Sequence, residues 1–298
     1  MMTQYPLVVT GASGHLGRKV VEYLLNTLHV APENIIALSR KPENLADFAA
    51  VGVQVRAADF DDTGSLAQAF AGGKRLLLIS TDTLDMPGKR LQQHLNAVAV
   101  AGQSDIQHIV YTSMPKPETS VLLFAGDHLN TEKAVQASGK SWTILRNNWY
   151  FENLFLSLGH MLESGHWYSA AGDGKVAHIA RNDLAYAAAV ALAANDVTSK
   201  TYTLTGTEAF TETEIAKLVS DVAGKAITVV SLTDEQKIAG LKQAGLPDHL
   251  AAVLASFDSN TRSGGVADIT DDFYQLTGRR PQRYRDWLAS QQLHIQQS

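Results

Sequence analysis

The sequence predicts an α/β protein built on a doubly wound parallel sheet, and three observations carry this prediction. Six short runs rich in leucine and β-branched residues alternate with amphipathic helical patterns through the first half of the chain. The runs are apolar along their whole length, as expected for strands covered by helices on both faces. A glycine-rich loop joins the first strand to the first helix. In such sheets, ligands bind at the carboxyl ends of the strands.

Each element of the first half follows from these patterns. The predicted strands are PLVVTG, NIIALSR, VQVRAA, RLLLIST, IQHIVYTS and SWTILRN. The predicted helices between them are HLGRKVVEYLLNTL, PENLADFAAV, TGSLAQAFAG, GKRLQQHLNAVAVAG and HLNTEKAVQASG. The alternation loosens after about residue 150. We therefore expect a main domain over residues 1–150 and a smaller α+β part over residues 151–298, some of whose segments return to pack on the main domain.

The second half combines helices with shorter strands. A helix near 151–163 precedes HWYSAAGDGKVAHIA, which is typical of two short strands around a glycine turn. Asn182 or Asp183 is expected to cap an alanine-rich helix that ends near residue 195. The patterns TYTLTG, TETEIAKLVSDVAG, ITVVSL and DEQKIAGLKQAG then predict strand, helix, strand and helix. The tail ends in another helix, and its arginines are expected to be solvated: Arg279, Arg280, Arg283 and Arg285.

Composition and charge exclude several classes of function. The net charge of -5 gives no electrostatic case for nucleic acid or an anionic membrane. The absence of cysteine excludes disulfides and thiolate chemistry, and the ten histidines form no metal-binding pattern. The N-terminus lacks the basic and apolar regions of a signal peptide, and the longest apolar run is about half of what spans a bilayer. We expect a cytoplasmic protein without a metal.

The loop TGASGHLG spaces Gly11, Gly14 and Gly17 as a dinucleotide-binding loop requires. One glycine permits the tight turn, another lets the backbone approach the pyrophosphate, and the last lets helix and strand pack closely. The N-terminus of the following helix would direct its free N–H groups at the phosphates. Because the loop lies between a predicted strand and a predicted helix, it indicates a Rossmann-like domain rather than a structural turn.

The end of the second strand indicates which dinucleotide is bound. A site for NAD usually has an acidic residue there, to bind the ribose 2′-hydroxyl. This strand ends instead in Arg40 and Lys41, and a guanidinium at that place would pair with a 2′-phosphate. We therefore predict NADP(H), the alternative being that both are solvated loop charges. Asp59, after the third strand, either bonds the adenine or caps the next helix.

Several motifs together carry a resemblance to a known family. They are TGASGHLG, LLLIST, HIVYTS, GDHLNTEKAV, TILRNNWYFENL, AAGDGKVA and DDFYQLTGRRP. With the basic residue after the second strand, they resemble an atypical short-chain dehydrogenase of the NmrA-like group. Within that group the chain is most similar to the bacterial NADPH:quinone oxidoreductases and their dye-reducing relatives. The resemblance runs from about residue 7 to residue 288.

The resemblance implies a set of cofactor contacts. Lys133 would bond the nicotinamide ribose, and Arg40 would contact the 2′-phosphate. The implied pyrophosphate contacts are Gly11, Ala12, Ser13, Gly14, His15 and Leu16, and Gly17 completes the cofactor-binding loop. The implied contacts towards the nicotinamide are Ser80, Thr81, Ile144, Leu145, Arg146, Asn147, Asn148 and Trp149.

Leu129 stands four residues before Lys133, where many related reductases carry a proton-donating tyrosine. An alkoxide formed from a ketone needs a positioned acid, because its conjugate acid has a pKa of about 16. The anion formed from a quinone is phenolate-like, with a conjugate acid of pKa about 10, and can take its proton from water. The leucine therefore disfavours alcohol dehydrogenases and epimerases. A quinone or dye reductase and a non-catalytic nucleotide-binding protein both remain compatible with it.

The segment after the sixth strand is the predicted place of the acceptor. Aromatic side chains suit a flat quinone and asparagine amides could bond its oxygens, although these aromatics could instead form the seam between the two parts. We assign Lys133, Asn148 and Tyr150 as catalytic candidates, with Ser113 as a weaker one. The predicted function is NADPH-dependent hydride transfer to a quinone or similar conjugated acceptor. The alternatives are an NADP(H)-binding redox sensor without turnover and other reductive chemistry; a homodimer is one compatible oligomeric state.

Overall fold

The computed structural model describes residues 5–297. The strands are β1 (Leu7–Val9), β2 (Ile35–Ser39), β3 (Gln54–Ala57), β4 (Arg75–Leu78), β5 (His108–Ser113), β6 (Ser141–Asn147), β7 (His166–Ser169), β8 (Lys175–Val176), β9 (Lys200–Leu204), β10 (Phe210–Thr211) and β11 (Thr228–Ser231). The helices are α1 (His15–Asn26), α2 (Ala46–Ala50), α3 (Thr63–Phe70), α4 (Lys89–Gln103), α5 (Ala125–Gln136), α6 (Phe155–Ser164), α7 (Arg181–Ala193), α8 (Glu212–Ala223), α9 (Asp234–Gln243), α10 (Asp248–Arg262), α11 (Asp272–Thr277), α12 (Tyr284–Ser290) and α13 (Gln292–Gln297). Short 3₁₀ turns cover Pro32–Asn34, Pro42–Leu45 and Phe151–Leu154.

A seven-stranded parallel sheet forms the centre of the molecule, in the order β3-β2-β1-β4-β5-β6-β9. In β1, Val8 pairs with Ile36 of β2 on one side and with Leu76 of β4 on the other. From β1 the chain first proceeds to β2 and β3, and then crosses to the other side of β1 to form β4, β5 and β6. This reversal opens a crevice at the carboxyl ends of β1 and β4. The predicted Rossmann-like, doubly wound α/β fold is confirmed.

Helices cover both faces of the sheet. On one face, the apolar sides of α1 and α7 pack on the central strands, around residues such as Val20 and Leu184. On the other face, α3, α4 and α5 pack around Phe70, Ala97 and Val135. Because α7 is rich in buried alanine, it packs closely along α1. This close packing brings the first residues of α7 to the same edge of the sheet as the glycine loop.

The second half of the chain contributes directly to the main sheet. Strand β9 extends the sheet by pairing with β6, where Leu145 lies opposite Tyr202. Outside the sheet, β7 pairs in parallel with β11, and β8 pairs antiparallel with β10. The two strands predicted around the glycine turn therefore do not pair with each other. At Gly174, between them, a Cβ atom would lie 2.4 Å from the carbonyl oxygen of Thr261, so the turn packs against α10.

Helix α10 is absent from the predicted elements. Its sequence, DHLAAVLASFDSNTR, begins after Pro247. Its buried face combines apolar residues with polar ones such as Ser256, Asp258 and Asn260. Buried polar residues interrupt the apolar periodicity by which an amphipathic helix is identified from sequence. The same buried residues connect α10 to other elements, since Asp258 accepts a hydrogen bond of 2.8 Å from the backbone of Ala170.

The start of α7 and the C-terminal tail differ from expectation. The N-cap is Ala180, so neither Asn182 nor Asp183 caps the helix. The Asp183 carboxylate instead accepts hydrogen bonds from the backbone of Gln282 at 2.7 Å and from Arg279 at 3.1 Å. The Arg279 guanidinium stacks 3.6 Å from the ring centre of Tyr186. The tail arginines are thus not a uniformly solvated cluster: Arg280 pairs with Asp271 and Arg283 with Glu208.

Candidate functional site

A cleft of about 890 Å³ lies at the carboxyl ends of the strands in the main sheet. This volume is within the range of natural small-molecule sites, about 300–1,000 Å³. The predicted site residues that line it are Gly11, Ser13, Gly14, His15, Leu16, Gly17, Arg40, Lys41, Asp59, Ser80, Thr81 and Tyr150. The cleft extends from the ends of β2 and β3, past the glycine loop, to the end of β6. An extended dinucleotide fits this path.

The glycine loop has the geometry that its spacing predicts. Gly11 has a φ of 58°, which favours glycine, and its carbonyl accepts a hydrogen bond of 2.9 Å from Gly14. A Cβ atom at Gly17 would lie 2.3 Å from the carbonyl oxygen of Gly11, so only glycine allows α1 to approach the loop this closely. Helix α1 begins at His15 with no side-chain cap, which leaves its first N–H groups facing the cleft.

Hydrogen bonds connect the glycine loop to the end of β2. The hydroxyl groups of Ser13 and Ser39 lie 2.9 Å apart, and the Ser39 oxygen accepts a hydrogen bond from the backbone N–H of Lys41 at 3.0 Å. Arg40 and Lys41 themselves are exposed, and both line the cleft. Neither forms an ion pair with a carboxylate among residues 5–297. Two unpaired cations therefore stand at this end of the cleft, as a bound phosphate would require.

The structure contradicts one of the two expectations for Asp59, the capping of the next helix. Helix α3 is capped by Asp62, whose carboxylate accepts hydrogen bonds from Gly64 at 2.8 Å and Ser65 at 3.1 Å. Asp59 therefore does not cap this helix. Its carboxylate accepts a hydrogen bond of 2.9 Å from the backbone of Asp61, and its side chain lines the cleft at the end of β3.

The chain after β4 is held by buried side chains behind the cleft. Ser80 donates its backbone N–H to the hydroxyl of Thr112 at 2.9 Å. Thr81 donates its backbone N–H to Nε2 of His94 at 2.9 Å, and its carbonyl accepts from Nε of Arg90 at 2.7 Å. These contacts fix the backbone of two predicted ribose contacts, and both residues line the cleft.

Two buried histidines in this region are neutral. Because the Thr81 N–H and the Arg90 guanidinium can only donate, they require Nε2 of His94 and of His128 to be unprotonated acceptors. Nδ1 of His128 lies 2.8 Å from the hydroxyl of Tyr111, which completes the network. Burial, assisted by the positive charge of Arg90, lowers the pKa of His94 to about 3 and lowers that of His128 well below its ordinary value. Both rings therefore support structure rather than proton transfer at neutral pH.

The structure does not bring Lys133 to the cleft. Lys133 is exposed, and the face of α5 that packs on the sheet carries His128 and Glu132 instead, four residues apart. Adjacent helix positions differ by about 100° in direction, so a shift of one residue turns the lysine away from the sheet. Leu129 is half-buried beside this inward face. The resemblance implied that Lys133 faces the cofactor, whereas in the structure the neighbouring Glu132 faces the sheet.

The hydroxyl group of Ser113 is hydrogen-bonded to the carboxylate of Glu132. Oε1 of Glu132 accepts hydrogen bonds from Ser113 at 2.6 Å and from Nε of Arg146 at 2.9 Å. Oε2 of Glu132 forms a second contact with the same guanidinium at 2.6 Å. Glu118 also pairs with Arg146. Arg146 is therefore committed to two carboxylates and does not line the cleft, and Ser113 has no free hydroxyl proton for catalysis.

Most of the segment predicted to contact the nicotinamide lies behind the cleft wall. Ile144 and Leu145 are fully buried in the core. The Asn148 amide donates to the carbonyl of Val266 at 3.0 Å and accepts from the backbone of Trp149 at 2.8 Å. The indole of Trp149 packs 5.1 Å from the ring centre of Phe257. The remaining predicted contacts outside the wall are the buried Ala12 and Asn147.

Tyr150 is the catalytic candidate that reaches the cleft. Its ring lies under the guanidinium of Arg181, 5.3 Å away, and both residues line the wall. Burial raises the pKa of Tyr150, against the lowering effects of Arg181 and of a hydrogen bond from the Asn147 side chain. Oδ1 of Asn147 is buried and has no partner within the described part of the chain. The tyrosine is therefore a neutral phenol at physiological pH.

Sequence reasoning missed several residues of the wall. They are Thr10, Leu38, Ser39, Asn44, Ala58, Phe60, Ile79, Asp82, Thr83, Gln93, Thr112 and Arg181. Half of them are among the last two residues of a strand or come directly after it: Thr10, Leu38, Ser39, Ala58, Ile79 and Thr112. Counting the end of each strand and the next residue as part of the site would have found these six. Arg181 carries no such signal, because it belongs to α7 and reaches the cleft only through the packing of that helix on α1. Within residues 5–297, no cluster of three or more ligating side chains could hold a metal ion.

No helix in the described ranges is long and apolar enough to cross a membrane. All the residues that line the cleft, from Thr10 to Arg181, lie within the region matched by a family model. Residues 3–269 match the model of the NmrA-like family. Quinone oxidoreductase 2 of Escherichia coli (strain K12) is 39% identical over 272 residues, which cover 91% of this chain and 93% of that protein.

Solved structures agree with the sequence match. The NADPH-dependent quinone oxidoreductase of Escherichia coli, complexed with NADPH, superposes with a TM-score of 0.89 at 38% identity, covering 97% of this chain and 99% of that one. The triphenylmethane reductase of Citrobacter sp., complexed with NADP(H), gives a TM-score of 0.86 at 32% identity, covering 96% and 99%. By the extent of these matches, and by its glycine loop and sheet order, the chain belongs to the NmrA-like family.

Proposed function

We propose that this protein is an NADPH-dependent oxidoreductase that reduces quinones or similar conjugated acceptors. The observation that carries the proposal is the cleft itself. One end combines a dinucleotide-type glycine loop with the unpaired cations Arg40 and Lys41, and the other end holds Tyr150. Similarity to a quinone oxidoreductase over 91% of the chain supports the choice of acceptor.

The residues present fit NADP(H). The close approach at Gly17 leaves the loop backbone open to a pyrophosphate, and Arg40 and Lys41 supply charge for the 2′-phosphate. Asp59 stands where the adenine would lie, and Ser80 and Thr81 edge the path towards the ribose. When bound, NADPH supplies a hydride. The chain supplies orientation and the electrostatic surroundings of the acceptor.

The absence of a positioned acid on α5 favours a quinone over a simple ketone. On the inward face, His128 is neutral and bonded to Arg90, and the Glu132 carboxylate is held by Arg146 and Ser113. Neither presents a proton to the cleft. A quinone tolerates this arrangement because its reduced anion corresponds to an acid of pKa about 10, against about 16 for an ordinary alcohol.

The three catalytic candidates have different roles in this function. Tyr150 contacts the acceptor, because it is the candidate on the cleft wall. Asn148 holds Trp149 and the backbone of Val266, and so shapes the wall without touching reacting atoms. Lys133 receives no contact with the cofactor, since its side chain is exposed away from the cleft.

NADPH oxidation by the purified protein, followed by absorbance with a panel of quinones and in parallel with NADH, tests this function. We expect turnover with NADPH well above that with NADH. Tight binding of NADPH without turnover on any quinone or dye would contradict the proposal. That result would favour the alternative, a redox sensor that binds the nucleotide without consuming it.

A further inference from the structure

Arg181 is a cation at the end of the cleft opposite Arg40. It is the first residue of α7 and lines the wall beside Tyr150. Its guanidinium carbon lies 5.3 Å from the centre of the Tyr150 ring. In the sheet, β6, which leads to Tyr150, is separated from β2, which leads to Arg40, by β1, β4 and β5. The two arginines therefore mark the two ends of the bound dinucleotide's path.

The guanidinium of Arg181 is not neutralised by any residue in the range 5–297. Within the described chain, no carboxylate forms an ion pair with its guanidinium. Seven other arginines are paired with carboxylates: Arg18, Arg90, Arg146, Arg262, Arg279, Arg280 and Arg283. Glu152 lies nearby, but its carboxylate accepts hydrogen bonds from the backbone N–H of Arg181, the shorter at 3.1 Å.

The position of Arg181 within its helix is also unfavourable for a cation. The N-terminus of an α-helix carries partial positive charge, so a basic residue in the first turn is destabilising. Glu152 offsets the helix dipole through the backbone and leaves the side-chain charge unpaired. An unpaired guanidinium at a helix N-terminus, held against an aromatic ring on the wall of a cleft, is arranged to meet an anion that comes from outside the chain.

Two anions could bind to the Arg181 guanidinium in the cleft. The cofactor diphosphate belongs at the glycine loop and the N-terminus of α1. The other anion forms at the reacting end, when a quinone accepts a hydride with its two electrons and becomes a hydroquinone monoanion. NADPH is oxidised to NADP⁺ in that step, and a proton from water then completes the hydroquinone. The stacking of Arg181 on Tyr150 favours the second anion.

We propose that the Arg181 guanidinium, with the hydroxyl of Tyr150 beside it, stabilises the oxygen anion that forms on the quinone acceptor. This inference rests on the proposed function. A charge that is fixed before the reaction and aimed at the developing anion lowers the barrier without rearrangement. Arg181 is then a catalytic residue that takes over the electrostatic role left vacant on α5. Because the phenol of Tyr150 is neutral, it can donate a hydrogen bond to the same oxygen.

The proposal can be tested without any enzymatic reaction, by binding a phenol whose anion resembles the proposed oxygen anion and which changes colour when it ionises. The probe is 4-nitrophenol, titrated against pH by absorbance with the NADP⁺-bound protein. We expect the wild-type protein to lower the pKa of the bound probe by about one unit or more, as an opposite charge within contact distance does. Arg181→Met should abolish this shift, and Arg181→Lys should retain part of it. Tyr150→Phe keeps the ring and removes the hydroxyl, so it shows how much of the lowering of the probe's pKa comes from that hydroxyl.

The control is Lys200→Met. Lys200 also lies over a tyrosine, 4.5 Å from the ring centre of Tyr202, but on β9 and outside the cleft wall. This variant should leave the pKa of the bound probe unchanged. It therefore shows whether loss of any cation stacked on a tyrosine is enough to alter the probe.

Two further measurements complete the test. NADPH affinity, from the fluorescence of the reduced nicotinamide, should change less than about threefold in Arg181→Met, while kcat/KM for a quinone should fall about 10²- to 10³-fold. A parallel loss of NADPH affinity with an unchanged probe pKa would overturn the proposal and assign Arg181 to the diphosphate. Failure of the wild-type protein to bind the probe would also contradict it. A normal probe shift without quinone turnover would contradict the proposed function instead.

Discussion

At the scale of single residues, we propose that Arg40 sets the preference of the cleft for NADPH over NADH. Its side chain is exposed, lines the cleft and has no carboxylate partner in the described part of the chain. A 2′-phosphate would give it a charge-assisted hydrogen bond, whereas NADH offers only a hydroxyl group. Lys41, next to it, supplies a second charge but not the planar fork of a guanidinium.

We therefore expect Arg40→Ala to weaken NADPH binding about 10- to 100-fold, since hydrogen bonds to charged groups are worth about 1.5–3 kcal/mol. NADH binding should change little. Fluorescence titration of both reduced nucleotides measures the effect. Arg56→Ala serves as a control, because Arg56 donates to the backbone of Ala69 and Ala71 and does not line the cleft. Equal losses for both nucleotides would refute the assigned role.

Glu212 is a residue whose charge opposes folding. Burial and the negative charge of Asp258 raise the pKa of its carboxyl to about 7, despite a hydrogen bond accepted from Ser169 and the nearby Lys237. Its Oε2 is buried without a partner in the region that the structure describes. Because the pKa is higher in the folded state than in the unfolded chain, this residue destabilises the protein progressively as pH rises through about 4.5 to 7.

Glu212→Gln should therefore raise the free energy of unfolding at pH 8 by about 1–3 kcal/mol and change it little at pH 4. Urea denaturation at the two pH values measures this difference. Glu163→Gln, at an exposed position on α6, should alter stability by less than about 0.5 kcal/mol at both. Destabilisation of Glu212→Gln at pH 8 would show that the carboxylate has a partner in solution.

Single site residues could be predicted from the sequence where their position at the end of a strand is enough to place them in the cleft. The glycines, Arg40 and Ser80 follow strand ends, and strand ends are visible as the limits of apolar runs. Lys133 was misplaced because a single-residue difference on a helix changes the direction of a side chain by about 100°. Arg181 could not be found from sequence, because only the packing of two helices distant in the chain brings it to the cleft.

At the scale of elements, the contact between α1 and the glycine loop depends on the absence of a side chain at Gly17. A Cβ atom at Gly17 would lie 2.3 Å from the Gly11 oxygen and 2.9 Å from the Cα atom of Ala12. Both are backbone atoms that cannot turn aside as a side chain would. The helix would have to move away from β1, and the N–H groups facing the cleft would move with it.

Gly17→Ala should therefore abolish measurable NADPH binding and lower the melting temperature. Gly240→Ala is the matched change on α9, where a Cβ atom meets nothing within 4 Å. Since alanine is favoured over glycine in a helix by about 1 kcal/mol, this control should stabilise the protein slightly. Circular dichroism melting and nucleotide titration compare the two variants. Normal NADPH binding by Gly17→Ala would contradict the close-packing argument.

Helices and strands could be predicted from the sequence where their apolar residues recur at regular intervals. All six strands of the first half appear in the structure within a few residues of their predicted limits. The positions of β7 and β8 were predicted, but the strands that pair with them were not. The sequence of a short strand does not indicate which distant strand it pairs with. Helix α10 was missed because residues such as Asp258 and Asn260 are buried on its inward face.

At the scale of the whole molecule, buried neutral histidines link stability to pH. Burial is the main cause that lowers the pKa of His94 to about 3, of His108 to about 4 and of His178 to about 4; it also lowers that of His128. In the unfolded chain each would titrate near 6.5. Above that value both states are neutral, whereas below it the unfolded chain takes up protons that the folded protein excludes.

The free energy of unfolding should accordingly be flat with respect to these residues above pH 6.5 and fall as pH decreases from about 6.5 to 4. Each histidine contributes at most about 1.4 kcal/mol per pH unit. Denaturant titrations at intervals of half a pH unit measure the slope. His249→Gln, at an exposed position, should leave the slope unchanged, whereas His178→Gln should reduce it. An identical slope in His178→Gln would mean that this ring is protonated in the folded protein.

Strand β9 and helix α7 have a consequence for the order in which the protein is made. Residues 1–150 comprise six of the seven strands of the main sheet, but β9 lies beyond residue 199. While the ribosome has released only the earlier part, the outer edge of β6 is unpaired and the sheet face later covered by α7 is bare. An open edge of this kind recruits other chains. The nascent protein should therefore need a chaperone until about residue 204 has left the exit tunnel.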